Sequence, residues 1–153
     1  MSSMKSQIQA DLTSAMRSGD ATVKSTLRMV LSAISNAEVA GDSAVELSDE
    51  QVIKVLQQES KKRLEAAEVY AGAGRTDAAA KETAEAEVIG RYLPAAMSAD
   101  ELAAVVAEEV AAAAGRGATG MKAMGQVVKA VRERVGSSAD GSVIADMVKS
   151  ALA

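Results

Sequence analysis

Met4, Ile8, Leu12 and Met16 recur every four residues, and Val23, Leu27, Val30, Leu31 and Ile34 continue at helical spacing. Apolar residues placed this way line one side of an α-helix, whereas a half-buried strand would alternate at every second residue. Composition closes off most alternatives. The chain holds 33 alanines, one proline and two tyrosines, with no Phe or Trp. Alanine enters a helix without losing side-chain entropy, and the aromatics that favour strands are nearly missing. An all-α protein is expected.

Helix ends are marked as clearly as helix faces. Gly19 interrupts the first stripe, and Asp20 is placed to cap the second helix, which should end near Gly41. In "LSDEQV", Ser48 and Gln51 have the spacing of a capping box, with Leu47 and Val52 as its hydrophobic staple. The third helix is expected from Asp49 to about Ala71. Its middle, "QQESKKRLE", is too polar to be buried on all sides. "AGAGRTD" breaks it, "AAAKETAEAEVIGRYL" makes a fourth, and Pro94 stops that one by disfavouring helix at the residue before it. "MSADEL" repeats the device with Ser98, Glu101, Met97 and Leu102. These marks predict an N-terminal helical bundle over 1–93, a linker at 94–98 and a small three-helix tail domain over 99–153. The tail helices are expected over 99–114, over 120–135 and from about Asp140. In the second of these, Met121, Met124, Val128, Val131 and Val135 should share the inward face.

Much chemistry is excluded by missing residue types. Without His or Cys there is no imidazole base, no thiolate, no disulfide and no zinc site of ordinary ligands. Serines and lysines are scattered over caps and helix surfaces, which argues against a Ser–Lys pair. No catalytic residue, metal site or cofactor is assigned, and the chain is not expected to be an enzyme on its own. "GRGATG" matches G-x-G-x-x-G at Gly115, Gly117 and Gly120. It follows a helix and not a strand, so it reads as a helix stop and connection, not a phosphate loop. The acids Glu82, Glu85, Glu87, Asp100, Glu101, Glu108 and Glu109 are spread over helices and read as a solvated face. "MSSMKSQIQADL" has no apolar core of a secretory signal, and no uncharged run approaches the ~18 residues of a membrane helix. A cytoplasmic protein without a membrane partner is expected.

Basic residues gather in one place. Arg116, Lys122, Lys129, Arg132 and Arg134 face a single acid, Glu133, within 116–134. Lys122 and Lys129 lie two helical turns apart and so share a side. Such a cluster on a chain of net charge −4 is either ordinary solubilising charge or a holder of phosphates. With Tyr70 and Tyr92 alone available for stacking, an RNA contact here would read backbone shape and be salt-sensitive. Gly125 stands inside the apolar pattern of an alanine-rich chain, which points to a close approach to its backbone. A packed neighbouring helix is the first explanation and an RNA backbone the second.

"LRMVLSAISNAEV", "QQESKKRLEAAEVYAGAGRTDAAAKETAEAEVIGRYLP", "MGQVVKAV" and "SSADGSVIADMVKSAL", in this order, resemble the YqeY family, related to the C-terminal tail of the B subunit of the tRNA-dependent amidotransferase. The resemblance implies a helical bundle followed by a three-helix tail, and tRNA or a tRNA-handling enzyme as partner. Carried over, Arg116, Lys122, Lys129, Arg132 and Arg134 become candidate tRNA-backbone contacts and Gly125 a candidate close approach. The family's glutamine after "YLP" is Ala96 here, which puts any partner contact of that glutamine in doubt. The resemblance also brings an association with carbon–nitrogen ligases that use glutamine as amido donor. The chain has neither the kinase-like body of the B subunit nor a serine–glycine amidase signature, so at most an accessory part in that reaction is implied. The alternative is a protein-interaction adaptor without RNA binding, with the acids from Glu82 to Glu109 as its contact.

Overall fold

The computed structural model describes residues 2–153. Those residues form seven α-helices and no strand, so the chain is all-α. It divides into two compact units, 1–93 and 94–153.

The first unit holds α1 (Ser3–Ser18), α2 (Ala21–Glu38), α3 (Asp49–Gly72) and α4 (Thr76–Gly90). Helix α1 packs on α2, α3 forms a tight hairpin with α4, and α2 touches both partners of that hairpin. The core between them is Ile8, Leu27, Val30, Ile34, Val52, Leu56, Val88 and Ile89, with Leu47 closing one end. The α1 stripe therefore points inward at Ile8, while Met16 at its end is half exposed.

The helix ends follow the local chemistry. Ser48 and Gln51 make both halves of the capping box. Ser98 accepts from the Glu101 N–H at 3.1 Å, the hydroxyl half of the second box. At the end of α3, Gly74 takes φ 75°. Arg75 N–H then reaches Tyr70 O at 2.8 Å and Gly74 N–H reaches Ala71 O at 3.1 Å, the paired bonds of a Schellman stop. The Arg75 guanidinium lies 5.0 Å from the Tyr70 ring centre and covers that stop. Helix α2 ends at Glu38, short of the expected Gly41. Helix α4 ends at Gly90, and Arg91, Tyr92 and Leu93 tighten into bonds three residues back before Pro94.

Helix α1 is tied down by two acids from elsewhere. Asp49 accepts from Ser3 Oγ and from the Met4 N–H at 3.0 Å. Glu38 accepts from Lys5 Nζ and from the Leu47 N–H. The Ser3 bond to Asp49 and the Lys5 bond to Glu38 hold both carboxyls below their ordinary range. A depressed folded pKa means the unfolded chain takes up the proton first as pH falls. The stabilisation is thus complete above the ordinary values of ~3.9 and ~4.3 and is lost as pH drops through the folded ones. Urea midpoints should fall steeply below about pH 4, and Asp49→Asn should flatten the profile. An unchanged acid limb in that variant would count against the tie. Further along α1, Tyr92 donates to Asp11. Burial, then this bond, pushes the phenol above its ordinary pKa.

Thr26 is completely buried, and its hydroxyl has no hydrogen-bond partner. An unmet buried hydroxyl carries a desolvation penalty of about 1–3 kcal/mol. Thr26→Val keeps the shape and removes the group, so it should stabilise the first unit by about 1 kcal/mol. A rise in the urea midpoint at unchanged m-value is the check.

The second unit holds α5 (Ala99–Gly115), a 3₁₀ turn (Gly120–Ala123), α6 (Met124–Val135) and α7 (Gly141–Leu152). All three helices touch one another around Leu102, Val106, Val127, Val131, Ile144 and Val148. Here the expected register needs correction. The inward stripe is Ala123, Val127, Val131 and Val135, while Met121 is half exposed and Met124 and Val128 lie at its edge. The stretch from Gly120 is not one helix: its first four residues wind as a 3₁₀ turn. Small Ala123 then fills the core position that the larger Met121 was expected to take.

Candidate nucleic-acid interface

The "GRGATG" stretch ends α5. Gly117 takes φ 85°. Ala118 N–H bonds Ala113 O and Gly117 N–H bonds Ala114 O, each at 2.9 Å, a second Schellman stop. The reading as a helix stop and connection holds.

The basic residues that follow differ in what surrounds them. Arg116 caps α5, Lys122 sits in the 3₁₀ turn and Lys129 on α6; all three are exposed. None of them makes an ion pair among the described residues. Replacing two α steps by 3₁₀ steps still leaves Lys122 and Lys129 within roughly 20° of one direction. The same-side expectation therefore survives the broken helix.

The two arginines at the far end are engaged within the unit. Arg134 Nη1 lies 2.8 Å from Glu108 Oε2 and 3.2 Å from Glu109 Oε1, both on α5. These bonds raise the Arg134 pKa further and offset its charge. Arg132 lays its guanidinium over the start of α7: a Cβ on Gly141 would stand 3.0 Å from Arg132 Nη2.

Gly125 requires a correction. A Cβ built there meets nothing within 4 Å, so no neighbouring helix presses on it. Gly125 is exposed and is the second residue of α6, not an interior one, so the full interior penalty of a glycine does not apply. The argument from close approach fits Gly141 instead, where a side chain packs directly on the backbone. The signal was a glycine just after a capping Asp140.

Of the acids expected to face solvent, Glu87, Asp100, Glu101 and Glu108 are exposed, Glu82 and Glu109 are half-buried, and Glu85 is the exception. Glu82, Glu85 and Glu87 belong to the first unit, and Asp100, Glu101, Glu108 and Glu109 to the second. Glu85 is 5% exposed and receives Arg63 Nε at 3.1 Å. Arg63 is itself 4% exposed, and its Nη1 bonds Glu59 Oε2 at 2.9 Å and Glu59 O at 3.0 Å. Burial pushes Glu59 up, but the bonds from Arg63 and Lys62 outweigh it and hold its carboxyl below the ordinary value. This triad was missed from the sequence, where Arg63 was only one charge within the polar stretch "QQESKKRLE". Its position on the Val52–Leu56–Ala67 side of α3 was the available signal.

Among the described residues no cluster of acids could hold a metal ion, and no helix is long and apolar enough to cross a membrane. An open groove between α5 and α7 is lined by Ala103, Val106, Ala107, Met147 and Ala151, with Asp146 and Ser150 as its polar groups.

A family model described as "Yqey-like protein" matches residues 5–152. Among curated proteins, "Altered inheritance of mitochondria protein 41, mitochondrial" of Meyerozyma guilliermondii is 38% identical over 95 residues, covering 60% of this chain. The match takes in 49% of that protein, about half its length.

Proposed function

This chain belongs to the YqeY family, and from that premise we propose that it is a non-catalytic binding module whose second unit holds tRNA by its phosphate backbone. The observation that carries the proposal is the exposed set Arg116, Lys122 and Lys129, three cations without an acidic partner among the described residues, on a chain of net charge −4. Lys122 and Lys129 point to one side and make the contact, Arg116 extends it, and Gly125 leaves the first turn of α6 open beside them. Arg132 contributes once it swings off Gly141, and Arg134 contributes least because Glu108 and Glu109 hold it. The family resemblance to the amidotransferase tail supports tRNA as the ligand. The same resemblance favours a tRNA-handling enzyme as a further partner, working where this chain itself supplies no chemistry.

The test is binding of unfractionated tRNA across a salt series. Phosphate contacts release counterions, so the logarithm of the affinity should fall linearly with that of the salt concentration. The expected slope is about −2 to −3 for three cations. No binding at low salt, or binding indifferent to salt, overturns the proposal in favour of a protein-interaction adaptor.

A further inference from the structure

Arg63 presents a donor whose acceptor is poorly matched to it. Its Nε is bonded to Glu85 and its Nη1 to Glu59. The remaining nitrogen, Nη2, has the Met29 sulfur at 3.7 Å as its acceptor. A thioether is a weak acceptor, and this guanidinium is almost wholly removed from water, its side chain being 5% exposed. Met29 itself, on α2, is 49% exposed. The structure therefore sets the sulfur of a half-exposed residue beside a buried cation with an under-used N–H.

We propose that Met29 is a site of oxidation by peroxide, whose sulfoxide product is held by Arg63 Nη2. In the step, a sulfur lone pair attacks one peroxide oxygen and the O–O bond breaks. The S–O bond forms as sulfur gives up two electrons. The second oxygen leaves as hydroxide and takes the peroxide proton as water. Oxidation makes the side chain polar, and at most apolar positions this weakens packing. At Met29 the new oxygen lies beside a cationic donor and accepts a charge-assisted bond, stronger than a neutral one. The modification thus tightens the tie between α2 and α3. Among the described residues, no such donor meets the sulfurs of the half-exposed Met16 and Met121.

The chain supplies its own readout. Tyr70 and Tyr92 are its two tyrosines, and with no Trp or Phe the near-ultraviolet signal belongs to the first unit. In a Met4→Leu/Met16→Leu chain, Met29 is the sole methionine of residues 2–93. This protein is treated with dilute hydrogen peroxide until mass spectrometry finds sulfoxide at Met29, and it is then melted with the tyrosine signal. The expected result is a Tm rise of about 4 °C and a shifted Arg63 guanidinium resonance. A third substitution, Met29→Leu, should abolish both. A Tm that falls or stays level on oxidation, an unmoved guanidinium resonance, or Met29 resisting peroxide overturns the proposal.

Discussion

Arg63→Ala should unfold the first unit at much lower denaturant, with a loss of about 3–5 kcal/mol. The size follows from what is left behind, not from the strength of the ion pairs. Glu85 is 5% exposed, and without Arg63 its carboxylate would be buried with no countercharge. It must then stay charged in an apolar setting or take up a proton. Glu59 suffers less, because Lys62 remains 3.2 Å away. Removing the charges together should hurt less than removing one: Arg63→Met with Glu85→Leu fills similar volume and should recover most of the loss. Denaturant melts of the two single variants and the double, read by the tyrosine signal, give the coupling directly. A loss under about 1 kcal/mol for Arg63→Ala would mean that water reaches the triad and that it behaves as a surface pair.

Changing Arg116, Lys122 and Lys129 together to alanine should weaken tRNA binding by at least about tenfold at moderate salt. The salt slope should flatten by about one for each cation that meets a phosphate. Arg134→Ala is the matched comparison. It removes one formal charge, as each single alanine variant of the other three does, yet that charge is already set against Glu108 and Glu109, so its effect on the slope should be much smaller than any of theirs. Equal effects from all four positions would mean that only net charge matters and that the surface has no particular contact points. Helix stability should be nearly unchanged in the triple variant, since all three side chains are exposed and alanine favours helix.

Some of this organisation was legible in advance because it is local. A capping serine needs only its own third neighbour, so Ser48–Gln51 could be read from six letters. A stop such as Gly117 depends on one residue's freedom to take positive φ. The stripe of α6 was legible in kind but not in register. The spacing assumed 3.6 residues per turn from Gly120, whereas the first turn winds with three. Gly125 was misjudged for a related reason: whether a glycine is interior depends on where the helix begins, and α6 begins at Met124, four residues after the expected start.

By itself, the sequence determined that the chain is helical, where most helices start and stop, and which side of each is apolar. These follow from interactions within about four residues along the chain, and no partner segment has to be known. Only the tertiary structure decided which charges remain free. Arg63 and Glu85 are 22 residues apart, and Arg134 and Glu109 are 25 apart. Each pair meets only once two helices have packed. A charged side chain looks the same in sequence whether it faces water, a buried carboxylate or an RNA phosphate. What distinguishes the three is the desolvation and countercharge around it, and those are properties of the folded neighbourhood.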